Sequence, residues 1–434
     1  MQSILSSEAQ QQLRRTVQVR GHVQAIRKLG NLAFLVIRDR SGSIQAVAEH
    51  PDVLAVVEQL SAETPVIVTG EIAEHPGNGG GVELHIRELK PMAKTVGSPP
   101  VEIAKNKKVD ELSISTLLDY RPLTLRNEKV RAIFKIEAAF CRAFRAFLTA
   151  EGFTEIHSPK IVATGTEGGA QLFALKYFEK QAFLAQSPQF YKQIMVGAFE
   201  RVYEIGPVYR AEEHDTTRHL NEYVSMDVEM GFIESEQDLM DLETRLLEAM
   251  FAELQNTCER ELALYAVQLP AIGKIPSLKL GEAIALLQQQ YRWKAEAKTP
   301  DLDPEGERLL SEHFKKNENT DFVFVTHYPH SVRPFYAMPE KGTGLSYSFD
   351  LLYRGLEVTT GGQRIHEYEQ LCESIRARGL QPESFTDYLQ CFKYGMPPHG
   401  GFAIGLERLT KQLLGLPSVK QTALFPRDIN RLTP

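Results

Sequence analysis

The stretch YRAEEHDTTRHLNEY, from Tyr209 to Tyr223, holds two arginines, two histidines, three glutamates and an aspartate. It lies between two segments of strand character, RVYEIGPVYR and YVSMDVEMGF. In the second, Val224, Met226, Val228 and Met230 alternate with Tyr223, Ser225, Asp227 and Glu229. One face is therefore apolar, and the other carries a ring and two carboxylates. On the first strand Val208, Arg210 and Glu212 share a face. Pairing of the two strands would set Arg210 and Glu212 beside Tyr223 and Asp227. An arginine for phosphate, a glutamate for an exocyclic amine and a tyrosine for stacking make a nucleotide site. A solvated salt-bridge network accounts for the same residues, each pair contributing about 0–1 kcal/mol.

Three further stretches carry chemistry. In YSFDLLYRGLEVTTGGQRIH (347–366), a two-residue turn at Arg354-Gly355 makes Leu352 face Glu357. Asp350 is then diagonal to Glu357, roughly 7–8 Å away at Cα. Two carboxylates that close call for a cation, and magnesium bridging phosphate oxygens fits; unrelated surface carboxylates are the alternative. Arg364 has the parity of Asp350, but the Gly361-Gly362 break leaves its face undetermined. In GGFAIGLERL, Gly400, Gly401 and Gly405 permit close backbone approach before a helix that carries Arg408. This is not a dinucleotide fingerprint, and no βαβ unit surrounds it. In TEGGAQLF and LAQSPQFYKQ, Lys192 with its Gln and Ser neighbours could orient a small polar substrate. The same residues read as a helix start capped by Ser187 with Pro188 following. His214 and His219 lack Cys or His partners, so a zinc site is not expected.

These residues need elements to hold them. Residues 1–95 show five short strand-like segments, with the apolar helical segment DVLAVVEQL between the third and fourth. That pattern suits a small closed barrel of the OB type. PGNGGG (76–81) is expected to be a hairpin tip, because no Gly-Lys-Ser/Thr follows it. A polar connector spans 95–115. From Asn127 to Glu151, Ile133, Ile136, Phe140, Phe144 and Phe147 recur at helical spacing, and Gly152 suits a left-handed cap. FTEIHSPKI is a short strand interrupted by Pro159. Residues 236–320 read as mostly helical and carry no recognisable motif, and strand character returns in DFVFVTHYP. A helix from Glu367 to Arg378 and a basic tail complete the pattern.

At 434 residues, two or three domains are expected. The hydrophobic content of 43% and charged content of 24% are ordinary for a globular chain. No run of about 18 apolar residues suggests a membrane span. The first residues lack the apolar core of a signal peptide. The four cysteines (Cys141, Cys258, Cys372 and Cys391) follow no metal or disulfide spacing, so reduced thiols and a cytoplasmic location are expected. A net charge of −7 argues against a general basic coat, and leaves room for nucleic acid gripped by local patches.

In this order the pieces resemble a class II aminoacyl-tRNA synthetase. Motif 1 corresponds to about 128–162, motif 2 to about 202–230 and motif 3 to about 400–415, behind an N-terminal OB-fold domain. This combination marks the aspartyl, asparaginyl and lysyl group, and AQSPQFYKQ with LEVTTGGQRIH is similar to the compact archaeal aspartyl type. The resemblance implies an α+β chain: an OB-fold anticodon-binding barrel (1–95), a linker or hinge (96–126) and a catalytic domain (127–434) with an antiparallel sheet flanked by helices. It implies an ATP site of Arg210, Glu212, Arg218, His219, Tyr223, Glu357, Gly405 and Arg408, with Arg210 and Arg408 catalytic. Magnesium would lie on Asp350, Glu357 and Thr360. Aspartate would meet Lys192 and Arg364 through its side chain, and Glu167, Gln189 and Asp227 through its ammonium. His22, Phe34 and Gln45 would lie at the anticodon, with Phe34 stacking on a base and Gln45 hydrogen-bonding to one; a place in the barrel core is the alternative for Phe34.

His22 stands where discriminating compact enzymes often show Trp, and GNGGG where they tend to have Lys. Both departures imply that tRNA(Asn) is charged as well as tRNA(Asp). A homodimer through motif 1 is implied, with no membrane contact. An asparaginyl enzyme, or an inactive tRNA-binding relative, are the competing readings.

Overall fold

The computed structural model describes residues 3–75, 77, 81–165, 171–294 and 300–434. It divides into two compact units, Met1–Arg131 and Ala132–Pro434.

The first unit is built on β1 (Thr16–Leu29), β2 (Leu32–Arg38), β3 (Ser43–Ala48), α1 (Pro51–Val57), β4 (Pro65–Glu74) and β5 (Val82–Pro91). The strand order β1-β2-β3-β5-β4 closes through β1–β4 pairing, with β3 and β5 parallel and the other pairs antiparallel. Alternation decides which side chains point inward: Val17, Val19, Val23, Ala33, Leu35 and Ile37 fill the barrel. Phe34 has the opposite parity and is only half-buried, outside that core. The expected polar connector contains short helices at Asn106–Asp110 and Ile114–Asp119. The expected hairpin tip at 76–81 falls largely outside the described residues.

The second unit begins within α2 (Glu128–Ala150), whose Ile133, Ile136, Phe140 and Phe144 are buried. Gly152 ends it at φ 82°, with Phe153 N donating to Leu148 O and Gly152 N to Thr149 O. Past Pro159 the chain leaves the main sheet: Thr154–Glu155 pairs with the large sheet, whereas Ile161–Val162 joins a three-stranded one. The large sheet runs Ser277–Lys279, β8 (Phe322–Thr326), β9 (Ser348–Tyr353), β10 (Leu356–Arg364), β11 (His399–Gly405), β7 (Glu222–Gly231), β6 (Arg201–Tyr209), Thr154–Glu155. All six central strands pair antiparallel. Five helices matter for the site: α3 (Gln189–Phe199), α4 (Glu236–Thr257), α5 (Pro304–Glu318), α6 (Thr386–Lys393) and α7 (Leu406–Leu414). One side of the sheet packs against α2 and α4 through Met226, Val228, Phe349, Leu351, Phe402 and Ile404.

Two local expectations are corrected. β6 ends at Tyr209, so Arg210 and Glu212 belong to the loop rather than to a strand face. Asn221 holds this loop: its Nδ2 donates to Arg210 O at 2.7 Å and to Glu212 O at 3.0 Å. The Ser187 cap is absent as well. The N-cap position of α3 is Pro188, with no side-chain cap bond.

Glu243 on α4 is fully buried against this sheet. Burial, with the Asp350 charge adding to it, pushes its carboxyl up to about 8 from the ordinary 4.5. Between those values the folded chain binds the extra proton, so this contribution is complete below about pH 4.5 and fades as pH rises through 8. A Glu243→Gln variant is expected to lose less stability between pH 5 and pH 8 than the parent chain. The difference should be on the order of 2–4 kcal/mol, measured by denaturant unfolding at each pH.

Candidate active site

Two cavities abut on the face of the sheet away from α2. The first is lined by Arg210, Glu212, Arg218, His219, Tyr223, Glu357, Gly405 and Arg408. The second is lined by Gln189, Lys192, Asp227, Arg333, Ser348 and Arg364 among others. Arg210, Tyr223, Ser225, Glu357, Thr360 and Ala403 line both. The candidate ATP and aspartate residues are thus brought into one continuous site, except Glu167, which lies outside the described residues.

In the first cavity Tyr223 packs on one side against Leu220, Val419 and Ala423, and the Arg210 guanidinium lies 6.0 Å from its ring centre. Burial lowers the pKa of His219, against the opposing pull of Glu212, and Thr216 Oγ1 is 2.6 Å from its Nδ1. Arg408 Nη1 donates to the Glu357 carbonyl at 3.1 Å and to its Oε1 at 3.3 Å. Arg218 pairs with Glu307 of α5, whose Oε2 also accepts from Glu357 N at 3.2 Å. Nothing in the sequence marked Glu307, because its region carries no motif.

The second cavity has a charged floor. Lys192 Nζ lies 3.1 Å from Asp227 Oδ1 and 3.2 Å from Glu229 Oε2. Arg364 Nε donates to Glu229 Oε1 at 3.0 Å, and Arg364 Nη2 to Gly401 O at 3.0 Å. Burial would raise the Glu229 carboxyl, but the Arg364 and Lys192 charges outweigh it and hold the pKa below the ordinary value. Two cations and two carboxylates, nearly all of them out of water, balance in charge. No sequence motif assigns Glu229 a role. Its alternation with Asp227 was visible, but its partners come from α3 and β10.

The β9–β10 pair keeps the expected turn register and adds a bulge beyond it. Leu352 does face Glu357, but a bulge at Val358 then shifts the ladder so that Asp350 pairs with Thr360. An undisturbed strand would put Glu357 and Thr360 on opposite faces. The extra residue brings them together, and Thr360 Oγ1 donates to Glu357 Oε1 at 3.0 Å. Asp350 Oδ2 accepts from Arg333 Nη2 at 2.6 Å, while its buried Oδ1 has no hydrogen-bond partner among the described residues. An orphaned carboxylate oxygen beside a second carboxylate and a hydroxyl is a donor set that suits magnesium, a cation that keeps its remaining positions for water and phosphate. Arg333 was also missed, for it lies far from any motif.

On the barrel, Phe34 and Gln45 are outward neighbours on β2 and β3, since Phe34 pairs with Val47 and Gln45 with Val36. Gln45 Nε2 is 2.8 Å from Glu83 Oε2 and 3.1 Å from His75 Nε2. His22 pairs with Arg38, four residues along β2 from Phe34 and so roughly 13 Å away. It is not part of the Phe34–Gln45 patch.

Residues 113–429 match the family described as tRNA synthetases class II (D, K and N), and residues 17–92 match the OB-fold nucleic acid binding domain. The chain belongs to the class II tRNA synthetases. Among its relatives is an aspartate–tRNA(Asp/Asn) ligase of Deinococcus radiodurans, 49% identical over 99% of this chain and 98% of that one. Another relative with that name, from Thermus thermophilus, is 50% identical over 96% of each chain. The crystal structure of asparaginyl-tRNA synthetase from Pyrococcus horikoshii complexed with asparaginyl-adenylate superposes with a TM-score of 0.92, at 30% identity and over all of both chains. As a member of this class the synthetase is an ATP-dependent ligase acting on tRNA. Among the described residues no helix is long and apolar enough to cross a membrane.

The glycines of the synthetase's β11 differ in what they allow. A Cβ on Gly401 would lie 2.0 Å from Val228 O and 2.2 Å from Glu229 Oε2, and one on Gly400 would lie 2.7 Å from Gly362 O. Gly405 is not a close approach, for its nearest neighbour is Arg408 Cβ at 3.7 Å. Gly401→Ala is therefore expected to cost about 1–3 kcal/mol or more and to displace Glu229 from Arg364. Gly405→Ala should change unfolding stability by less than about 0.5 kcal/mol. Paired urea denaturation curves check both.

Proposed function

We infer that this synthetase is an aspartate–tRNA ligase that also charges tRNA(Asn). The observation that carries the amino-acid choice is the buried Lys192–Arg364 pair at the cavity floor, a site for a second carboxylate. An arginine fork matches a carboxylate bidentately, whereas an asparagine amide would turn an NH₂ group toward a donor. An unsatisfied buried donor is costly, which gives the site its selectivity. The Asp/Asn names of both relatives support the tRNA reading, as does His22 in place of Trp.

The aspartate α-carboxylate attacks the α-phosphorus of ATP in line, giving aspartyl-adenylate and pyrophosphate. Arg210 stands where the two cavities meet, and so would hold the α-phosphate as negative charge develops. Arg408, Arg218 and His219 would take the terminal phosphates, Glu212 the adenine amine and Tyr223 its ring. Asp227, Gln189 and Glu167 would surround the α-ammonium. Asp350 and Glu357, with Thr360, would hold magnesium, which neutralises phosphate charge when bound. The terminal adenosine hydroxyl of tRNA then attacks the mixed anhydride. Positioning accounts for much of the rate. Stacking of a base on Phe34 and hydrogen bonding to Gln45 would read the anticodon. A cytoplasmic homodimer through motif 1 completes the reading.

ATP–pyrophosphate exchange should proceed with aspartate; exchange with asparagine alone would overturn the assignment. Purified tRNA(Asn) should accept aspartate, and failure to do so would remove the relaxed specificity. Arg364→Lys keeps the charge and loses the fork. It is expected to raise the KM for aspartate by about 100-fold, with the KM for ATP changed less than about twofold. Equal losses in both would count against the role of Arg364.

A further inference from the structure

Behind the second cavity lies a chain of buried polar groups that reaches the cavity only at Gln189. His399 Nδ1 is 2.9 Å from Pro397 O, and its Nε2 is 2.9 Å from Gln193 Nε2. Gln193 Oε1 accepts from Tyr388 OH at 3.0 Å and from Gln189 Nε2 at 3.0 Å. His399 and Gln193 are fully buried, and Gln189 and Tyr388 are nearly so.

One carbonyl sets the direction of every bond in this chain. Pro397 O can only accept, so His399 Nδ1 carries the proton. Burial, opposed by Glu229, brings the His399 pKa down to about 4, so the ring is neutral and its Nε2 is an acceptor. Gln193 must then turn its NH₂ group to His399 and its carbonyl toward Tyr388 and Gln189. Gln189 can answer only with its own NH₂ group. Its carbonyl oxygen is left for the cavity that Gln189 lines.

We propose that His399, Gln193 and Tyr388 are positioning residues that fix the amide of Gln189, so that an acceptor rather than a donor meets the α-ammonium of the amino-acid substrate. The inference rests on the reading that Gln189 binds that ammonium. Without the chain the Gln189 amide could turn over and present its NH₂ group to a cation.

The test compares Gln193→Leu, which deletes the acceptor, with Gln193→Glu, which keeps an acceptor for Tyr388 and Gln189. Succinate, which has both carboxylates of aspartate and no ammonium, serves as a competitive probe alongside ATP–pyrophosphate exchange. Gln193→Leu is expected to raise the KM for aspartate about tenfold, while the inhibition constant of succinate and the KM for ATP stay within about twofold. Gln193→Glu should restore most of the aspartate affinity. Parallel weakening of succinate and aspartate would mean a collapsed pocket and overturn the proposal, as would an unchanged aspartate KM in Gln193→Leu. Gln189→Ala separates the two layers. If it leaves aspartate binding intact, the ammonium role of Gln189 fails. If it weakens aspartate while Gln193→Leu does not, only the relay fails.

Discussion

The site depends on the neutralisation of charge beneath the sheet. Lys192, Asp227, Glu229 and Arg364 come from α3, two positions of β7, and β10, and none could be buried alone at acceptable cost. Together they tie three elements through contacts near 3 Å. The glycines of β11 follow from this. Gly401 must lack a side chain because the Val228 carbonyl and the Glu229 carboxylate lie 2.0 and 2.2 Å from where its Cβ would be, and its own carbonyl in turn accepts from Arg364. The requirement for small residues in GGFAIG is thus partly an electrostatic one.

A second constraint is the bulge at Val358. Val358 is buried with the apolar core, and the ladder regains its pairing at Thr359 opposite Leu351. The result is a polar face that carries Asp350, Glu357 and Thr360 together. Arg333 and Arg408 then bracket the two carboxylates from separate segments. Burial raises the Asp350 carboxyl, and the arginine charges of Arg408 and Arg333 hold Glu357 low in spite of burial. The two groups are therefore unequal in their hold on a proton.

Legibility in the sequence followed the range of the interactions. Barrel strands, α2 with its Gly152 cap, and the β6–β7 hairpin were readable because alternation, helical period and turn chemistry are local signals. The apolar face of β7 was readable for the same reason. Arg333, Glu307 and Glu229 were not assigned, because their partners Asp350, Arg218 and Arg364 are 17, 89 and 135 positions away. The pairing of Leu352 with Glu357 was readable from the turn, whereas the bulge at Val358 was not, because no residue type announces it. Phe34 shows parity settling a question composition left open: Ala33 and Leu35 point inward, so Phe34 cannot.

A scaffold common to enzymes named for aspartate and for asparagine cannot itself carry the choice between them. That choice must lie in a few groups whose placement leaves the backbone unchanged. The buried quartet meets this condition, since it balances its own charge and yet keeps two cations at the cavity floor. A side-chain carboxylate bound as proposed would take over part of the Lys192 and Arg364 contacts with Asp227 and Glu229, so that the cations would remain paired throughout. An amide brings no charge to that exchange and one donor too many. On the reading that this quartet receives the substrate, substrate choice and fold stability would draw on the same four side chains, and a change that relaxes one is expected to disturb the other.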